Sequence, residues 1–90
     1  MTLDRNGIRQ EIERVLLRIA PEADMAELDP SDLIRDQLDI DSFDFLRFII
    51  GVHEAIGVDV PESDYPEMFT MDSAIDYVSS ALSEGQTAVQ

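Results

Sequence analysis

Apolar residues fall at helical spacing in three stretches of this 90-residue chain. Ile8, Ile12, Val15, Leu16 and Ile19 recur three or four positions apart until Pro21 stops the run, which predicts an amphipathic helix over about residues 4 to 20. A second helix is predicted from Ser42 to about Ile56, with Phe45, Phe48, Ile49, Val52 and Ile56 gathered on one side as a core face. Asp41 suits its cap, Asp44 stands at the third position where a capping box has its glutamate, and Gly57 suits the left-handed residue beyond its end. Thr70 caps a last helix whose stripe is Met71, Ala74, Ile75, Val78, Ala81 and Leu82, closed by Gly85.

The connections are less regular. Residues 21 to 41 are rich in acid and turn formers, yet Met25, Ala26, Leu28, Leu33, Ile34 and Leu38 are spaced through them as apolar anchors, so this long connection is expected to be ordered. Val58, Val60 and Pro61 open a second connection with room for one short helical turn around Glu62 to Tyr65, halted by Pro66. No alternating strand pattern, internal repeat or low-complexity tract is present. The expected fold is all-α, with three long helices and one short one in a four-helix bundle. Its core should include Ile8, Ile12, Val15, Ile19, Phe45, Ile49, Val52, Ile56, Ile75, Val78 and Leu82. Residues 1 to 85 form one domain in this reading, and 86 to 90 a frayed tail.

Charge narrows the function. Six basic residues face 20 acidic ones, giving a net charge of -14. Residues 1 to 20 net +1 and residues 21 to 90 net -15, a field that repels nucleic-acid backbones and attracts basic protein surfaces. Nucleic acid is excluded as an expected partner, and self-repulsion favours a monomer. With no cysteine, the chain has no disulfide, thiolate metal site or cysteine nucleophile, and thiol chemistry would need a thiol from outside. The first residues lack the apolar core of a secretory signal and no run approaches a membrane span, so a soluble, cytoplasmic protein without membrane insertion is expected.

Ser42 is the residue placed for chemistry. It follows the expected cap, where helix N-terminal amides favour a phosphate, while the surrounding acid argues for a serine that another protein modifies. Asp-Ser is also an ordinary helix start. The single histidine, His53, is too far along the helix to serve Ser42 as a base, so no catalytic residue is assigned and His53 is read as a surface or partner contact. Asp39, Asp41 and Asp44 do not make an EF-hand, which would need a ligand at Phe43, glycine at Asp44 and glutamate at Ile50; no metal site is expected. Phe43, Leu46 and Ile50 form a second apolar stripe on the same helix, edged by Asp44, Arg47 and Glu54. The pattern leaves it two uses: a docking surface with a polar rim, or packing beneath the 21 to 41 connection.

The segment Leu38-Asp39-Ile40-Asp41-Ser42-Phe43 resembles the Leu-Gly-x-Asp-Ser-Leu attachment motif of the acyl carrier protein family. Gly57-Val58-Asp59-Val60-Pro61, Met68, Thr70 and Ala74-Ile75-Asp76-Tyr77-Val78 follow in register, so the resemblance covers about residues 8 to 82. It implies a carrier and not an enzyme: a phosphopantetheinyl transferase, with coenzyme A and Mg²⁺, would place a 4'-phosphopantetheine arm on Ser42, with Asp41 positioning the transferase. The arm's thiol would hold acyl groups as thioesters. The stripe of Phe43, Leu46 and Ile50, with Asp44, Arg47 and Glu54, would then meet acyl-loading and acyl-using enzymes with basic docking surfaces, and an acyl chain would enter beneath Phe45, Ile49 and Val52. Asp39, Ile40 and Phe43 depart from the glycine, small residue and leucine usual in the motif, and Arg47 and His53 stand where bacterial fatty-acid carriers usually have glutamate. These departures imply a specialised fatty-acid, lipid or polyketide-type carrier. The Gly-Gly-x-Ser of peptidyl carriers does not match. An unmodified acidic interaction module is the alternative.

Overall fold

The computed structural model describes the backbone of residues 3–88 and the side-chain surroundings of residues 3–83. Four α-helices follow in order: α1 (Arg5–Ile19), α2 (Ile34–Leu38), α3 (Ser42–Ile56) and α4 (Met71–Ala88). Two 3₁₀ segments, Met25–Glu27 and Glu62–Met68, lie in the connections. No strand forms among the described residues, and one isolated bridge joins Leu33 to Thr70. The all-α bundle of three long helices is therefore the architecture present.

Each long helix begins where a short polar side chain satisfies a first-turn amide. Asp4 accepts from the Gly7 N–H at 2.7 Å, Asp41 from Asp44 at 2.9 Å, and Thr70 Oγ1 from Ser73 at 3.1 Å. Gly57 ends α3 at φ 85°, the left-handed conformation expected of it. One half of the expected capping box is missing. The Asp44 carboxylate accepts from Arg47 Nη1 at 3.3 Å instead of returning to the cap, because aspartate is a methylene shorter than the usual glutamate.

The core is entirely apolar among the described residues. Ile8, Ile12, Val15 and Leu16 of α1 meet Phe45, Phe48, Ile49 and Val52 of α3 and Met71, Ala74, Ile75 and Val78 of α4. Ile19, Ile56 and Leu82, expected in the core, are only partly buried; Ile19 and Ile56 are the last residues of α1 and α3. Gly51 lets α1 and α3 approach closely: a Cβ there would sit 2.5 Å from Val15 Cγ1.

The connections are more structured than their composition implies. Leu28 and Ile34 are buried and Met25 and Leu38 partly so, but Leu33 and Ala26 are exposed and do not anchor the segment. Backbone bonds complete the attachment: Ile34 N–H donates to the Phe69 carbonyl at 2.8 Å and Asp72 N–H to the Pro30 carbonyl at 2.9 Å. Pro66 does not halt the later helical turn, which continues as a 3₁₀ segment to Met68. Proline's fixed φ suits a 3₁₀ turn, and the missing N–H costs it a single bond. Likewise α4 passes through Gly85 to Ala88, since a glycine costs a helix only about 1 kcal/mol. The tail expected from 86 onward is thus helical to Ala88, and residues 89 and 90 lie outside the described residues.

Candidate functional site

Ser42 is the first residue of α3 and is exposed. Because Asp41 supplies the cap, the Ser42 hydroxyl has no hydrogen-bond partner among the described residues. Chain entry into this site is set two turns earlier. Ile34 anchors α2 in the core, Asp39 ends it at φ 55°, and the N–H groups of Asp39 and Ile40 both return to the Arg35 carbonyl. Asp39 therefore occupies the left-handed conformation for which glycine is the easier residue, and which aspartate tolerates better than most. Ile40 is buried, so its bulk fills the core and is not presented at the surface beside Ser42.

A groove of 260 Å³ opens against Ser42, lined by Arg35, Phe45, Leu46, Tyr65 and Phe69 as well as the serine itself. Its floor is an aromatic cluster: the Phe45 ring lies 5.6 Å from Tyr65 and 5.5 Å from Phe69, both edge to face. Phe45 was expected at an acyl pocket and lies in this floor. Ile49 and Val52 belong to the buried core and are not among the groove's lining residues. Arg35, Tyr65 and Phe69 were not singled out from sequence. Two aromatics close together, one on each side of Pro66 in the connection after α3, were the available signal.

The second stripe of α3 faces outward. Phe43 is 75% exposed, Ile50 55% and Leu46 40%, which removes the reading that they pack beneath the 21 to 41 connection. Asp44, Arg47 and Glu54 stand on the same helix, with Arg47 paired to Asp44. Ile50, Arg47 and Glu54 also line a 340 Å³ groove between α1 and α3, together with Val15, Arg18, Ile19 and Gly51. His53 lies at the surface with Nδ1 3.3 Å from Asp59 Oδ1, and nothing links it to Ser42. Among the described residues no cluster of three metal-ligating side chains forms, and no helix is long and apolar enough to cross a membrane.

The site is thus an exposed hydroxyl at the head of a helix, beside an apolar groove and an exposed apolar stripe. Comparison with known proteins gives the chain its family. The chain is 31% identical over 77 residues to the acyl carrier protein of Rubrobacter xylanophilus, covering 84% of this chain and 93% of that protein. It is 36% identical over 63 residues to the acyl carrier protein of Renibacterium salmoninarum, covering 70% and 73%, and 25% identical over 81 residues to that of Acidothermus cellulolyticus, covering 90% and 95%. No protein-family model matches the chain. On these relatives it belongs to the acyl carrier protein family.

Proposed function

We propose that Ser42 carries a 4'-phosphopantetheine arm and that the protein holds acyl intermediates on it as thioesters for partner enzymes in a specialised fatty-acid, lipid or polyketide-type pathway. One observation carries this reading: the Ser42 hydroxyl is exposed and unbonded at the first position of α3, while Asp41 does the capping. The residues present fit a phosphodiester. The helix N-terminus favours an anion, and Arg35, which forms no ion pair among the described residues, brings a cation to the groove that Ser42 lines.

In the modification step, a phosphopantetheinyl transferase with Mg²⁺ would direct Ser42 Oγ to the β-phosphate of coenzyme A. The Oγ–P bond forms, the pyrophosphate P–O bond breaks, 3',5'-ADP leaves, and the serine proton passes to the transferase. Asp41, fixed by its bond to the Asp44 amide, would help position that enzyme and its metal. When attached, the arm supplies the thiol that a chain without cysteine lacks.

Phe43, Leu46 and Ile50 then serve as the docking surface, with Asp44, Arg47 and Glu54 setting its polar edge. Exposed apolar area beside Ser42 supports this use, and the chain's net charge of -14 supports partners with basic surfaces and a monomeric carrier; a cytoplasmic setting belongs to the same reading. A thiol-specific reagent tests the reading cleanly. After incubation with transferase and coenzyme A, wild type should take up one equivalent and Ser42→Ala none. A wild type that gains no thiol with several transferases leaves the exposed stripe as the surface of an unmodified interaction module.

A further inference from the structure

We propose that Phe45 restricts the cargo to compact acyl groups, a single ring or a chain of similar length, and keeps long linear chains out of the helical core. The inference rests on the carrier reading of Ser42. Ser42 lines the aromatic groove, so a flexible arm fixed there can fold its acyl end back onto the groove floor. Phe45 closes that floor: it is 8% exposed and contacts Tyr65, Phe69 and Phe48, the last with ring centroids 6.0 Å apart. Phe48 itself is fully buried. Ile49 and Val52, four and seven residues further along the same face of α3, are in the core cluster and do not line the groove.

A chain seeking the interior would have to turn the Phe45 ring out of its edge-to-face contacts on both sides. The groove alone is small. It is an open groove of about 260 Å³, and part of it is needed for the end of the arm. A benzoyl ring can lie against this aromatic lining, whereas most of a hexadecanoyl chain would extend past it into solvent. The Arg35 guanidinium at the same groove makes the opening still less suited to a long hydrocarbon.

The test loads wild type, Phe45→Ala and Phe45→Leu from benzoyl-, hexanoyl- and hexadecanoyl-coenzyme A, with intact mass proving attachment to Ser42 before any comparison. In wild type, benzoyl should shift the Tyr65 and Phe69 ring resonances, while hexadecanoyl leaves the Ile49 and Val52 methyl resonances in place and the melting temperature no higher than hexanoyl does. In the Phe45 variants hexadecanoyl should move those methyls and raise the melting temperature by at least about 3 °C over the unacylated arm-bearing form, as an occupant of the folded state must. Should Phe45→Ala not fold, Phe45→Leu and the wild-type series decide. Hexadecanoyl that shifts Ile49 and Val52 in wild type, or variants that behave as wild type does, overturns the proposal. Failure of every form to gain an arm instead overturns the carrier reading beneath it, and the mass spectrum separates the two results.

Discussion

Asp41 Oδ1 accepts the Asp44 backbone N–H at 2.9 Å, and this one bond separates the residue that holds α3 from the residue that α3 displays. Removing the cap should therefore cost stability where removing the serine does not. Asp41→Ala should lose about 1 kcal/mol, or roughly 4–8 °C in melting temperature for a domain of this size. Ser42→Ala should melt within about 0.5 kcal/mol of wild type. Thermal melts of the two variants check this, and equal losses would mean that Ser42 shares the capping duty.

Asp39 offers a sharper test of the backbone leading into the site. Both Asp39→Gly and Asp39→Ala remove one carboxylate from an acidic segment, but only glycine is at ease at φ 55°. Asp39→Gly should be the more stable of the two by about 1 kcal/mol. Indistinguishable melts would show that the charge, not the left-handed turn, governs this position.

The three long helices were legible because each repeats its apolar residues over four or five turns and carries a capping side chain. α2 was not, since five residues are too few for a period to show and Ile34 is its single buried side chain. What orders α2 is non-local: the Ile34 N–H finds the Phe69 carbonyl, a bond no local pattern announces. The places of Asp41 and Ser42 at the head of α3, and the existence of a second apolar stripe, were readable from helix geometry; that the stripe faces outward was not, since the pattern left it two uses and its exposure decides between them. The groove was not, since it joins Arg35, Phe45 and Phe69 from segments distant in sequence. Gly51 inside an apolar helix was the signal for the close approach to Val15, and it went unread.

Tyr77 ties α4 to the preceding 3₁₀ segment through its hydroxyl, which donates to Asp64 Oδ2 at 2.7 Å. Its ionisation is pushed up to about 12, first by burial and then by the bond and nearby charge of Asp64, with Glu67 and Asp59 adding to it. A raised folded value means that this contribution is fully present below the ordinary tyrosine range near 10 and lost as pH rises through about 12. Tyr77 is one of only two tyrosines, so a spectrophotometric titration resolves it. Tyr77→Phe should abolish the late-ionising step and flatten the loss of stability between pH 10 and 12. A wild type with both tyrosines titrating together near 10 would contradict the bond.

Arg47 places a cation on the exposed face of α3, its side chain 72% accessible and only 3.3 Å from Asp44 Oδ1. Against an enzyme whose docking surface is basic, two like charges a few ångströms apart cost on the order of 1 kcal/mol, enough to change partner choice several-fold. With a standard malonyl transferase of fatty-acid synthesis, arm-bearing Arg47→Glu should be the better substrate at low salt, and the gap should close as salt screens it. Equal kcat/KM for the two forms at low salt would remove Arg47 from partner selection.

The central claim is that Ser42 receives the arm, and intact mass measures it most directly. Wild type and Ser42→Ala are incubated with coenzyme A, Mg²⁺ and a broad-specificity phosphopantetheinyl transferase, then weighed. The account predicts that wild type gains the mass of one phosphopantetheine, mapped to Ser42, and that Ser42→Ala, still folded, gains nothing. A wild type left unmodified by several transferases, or a Ser42→Ala protein that takes up the same mass, would contradict it.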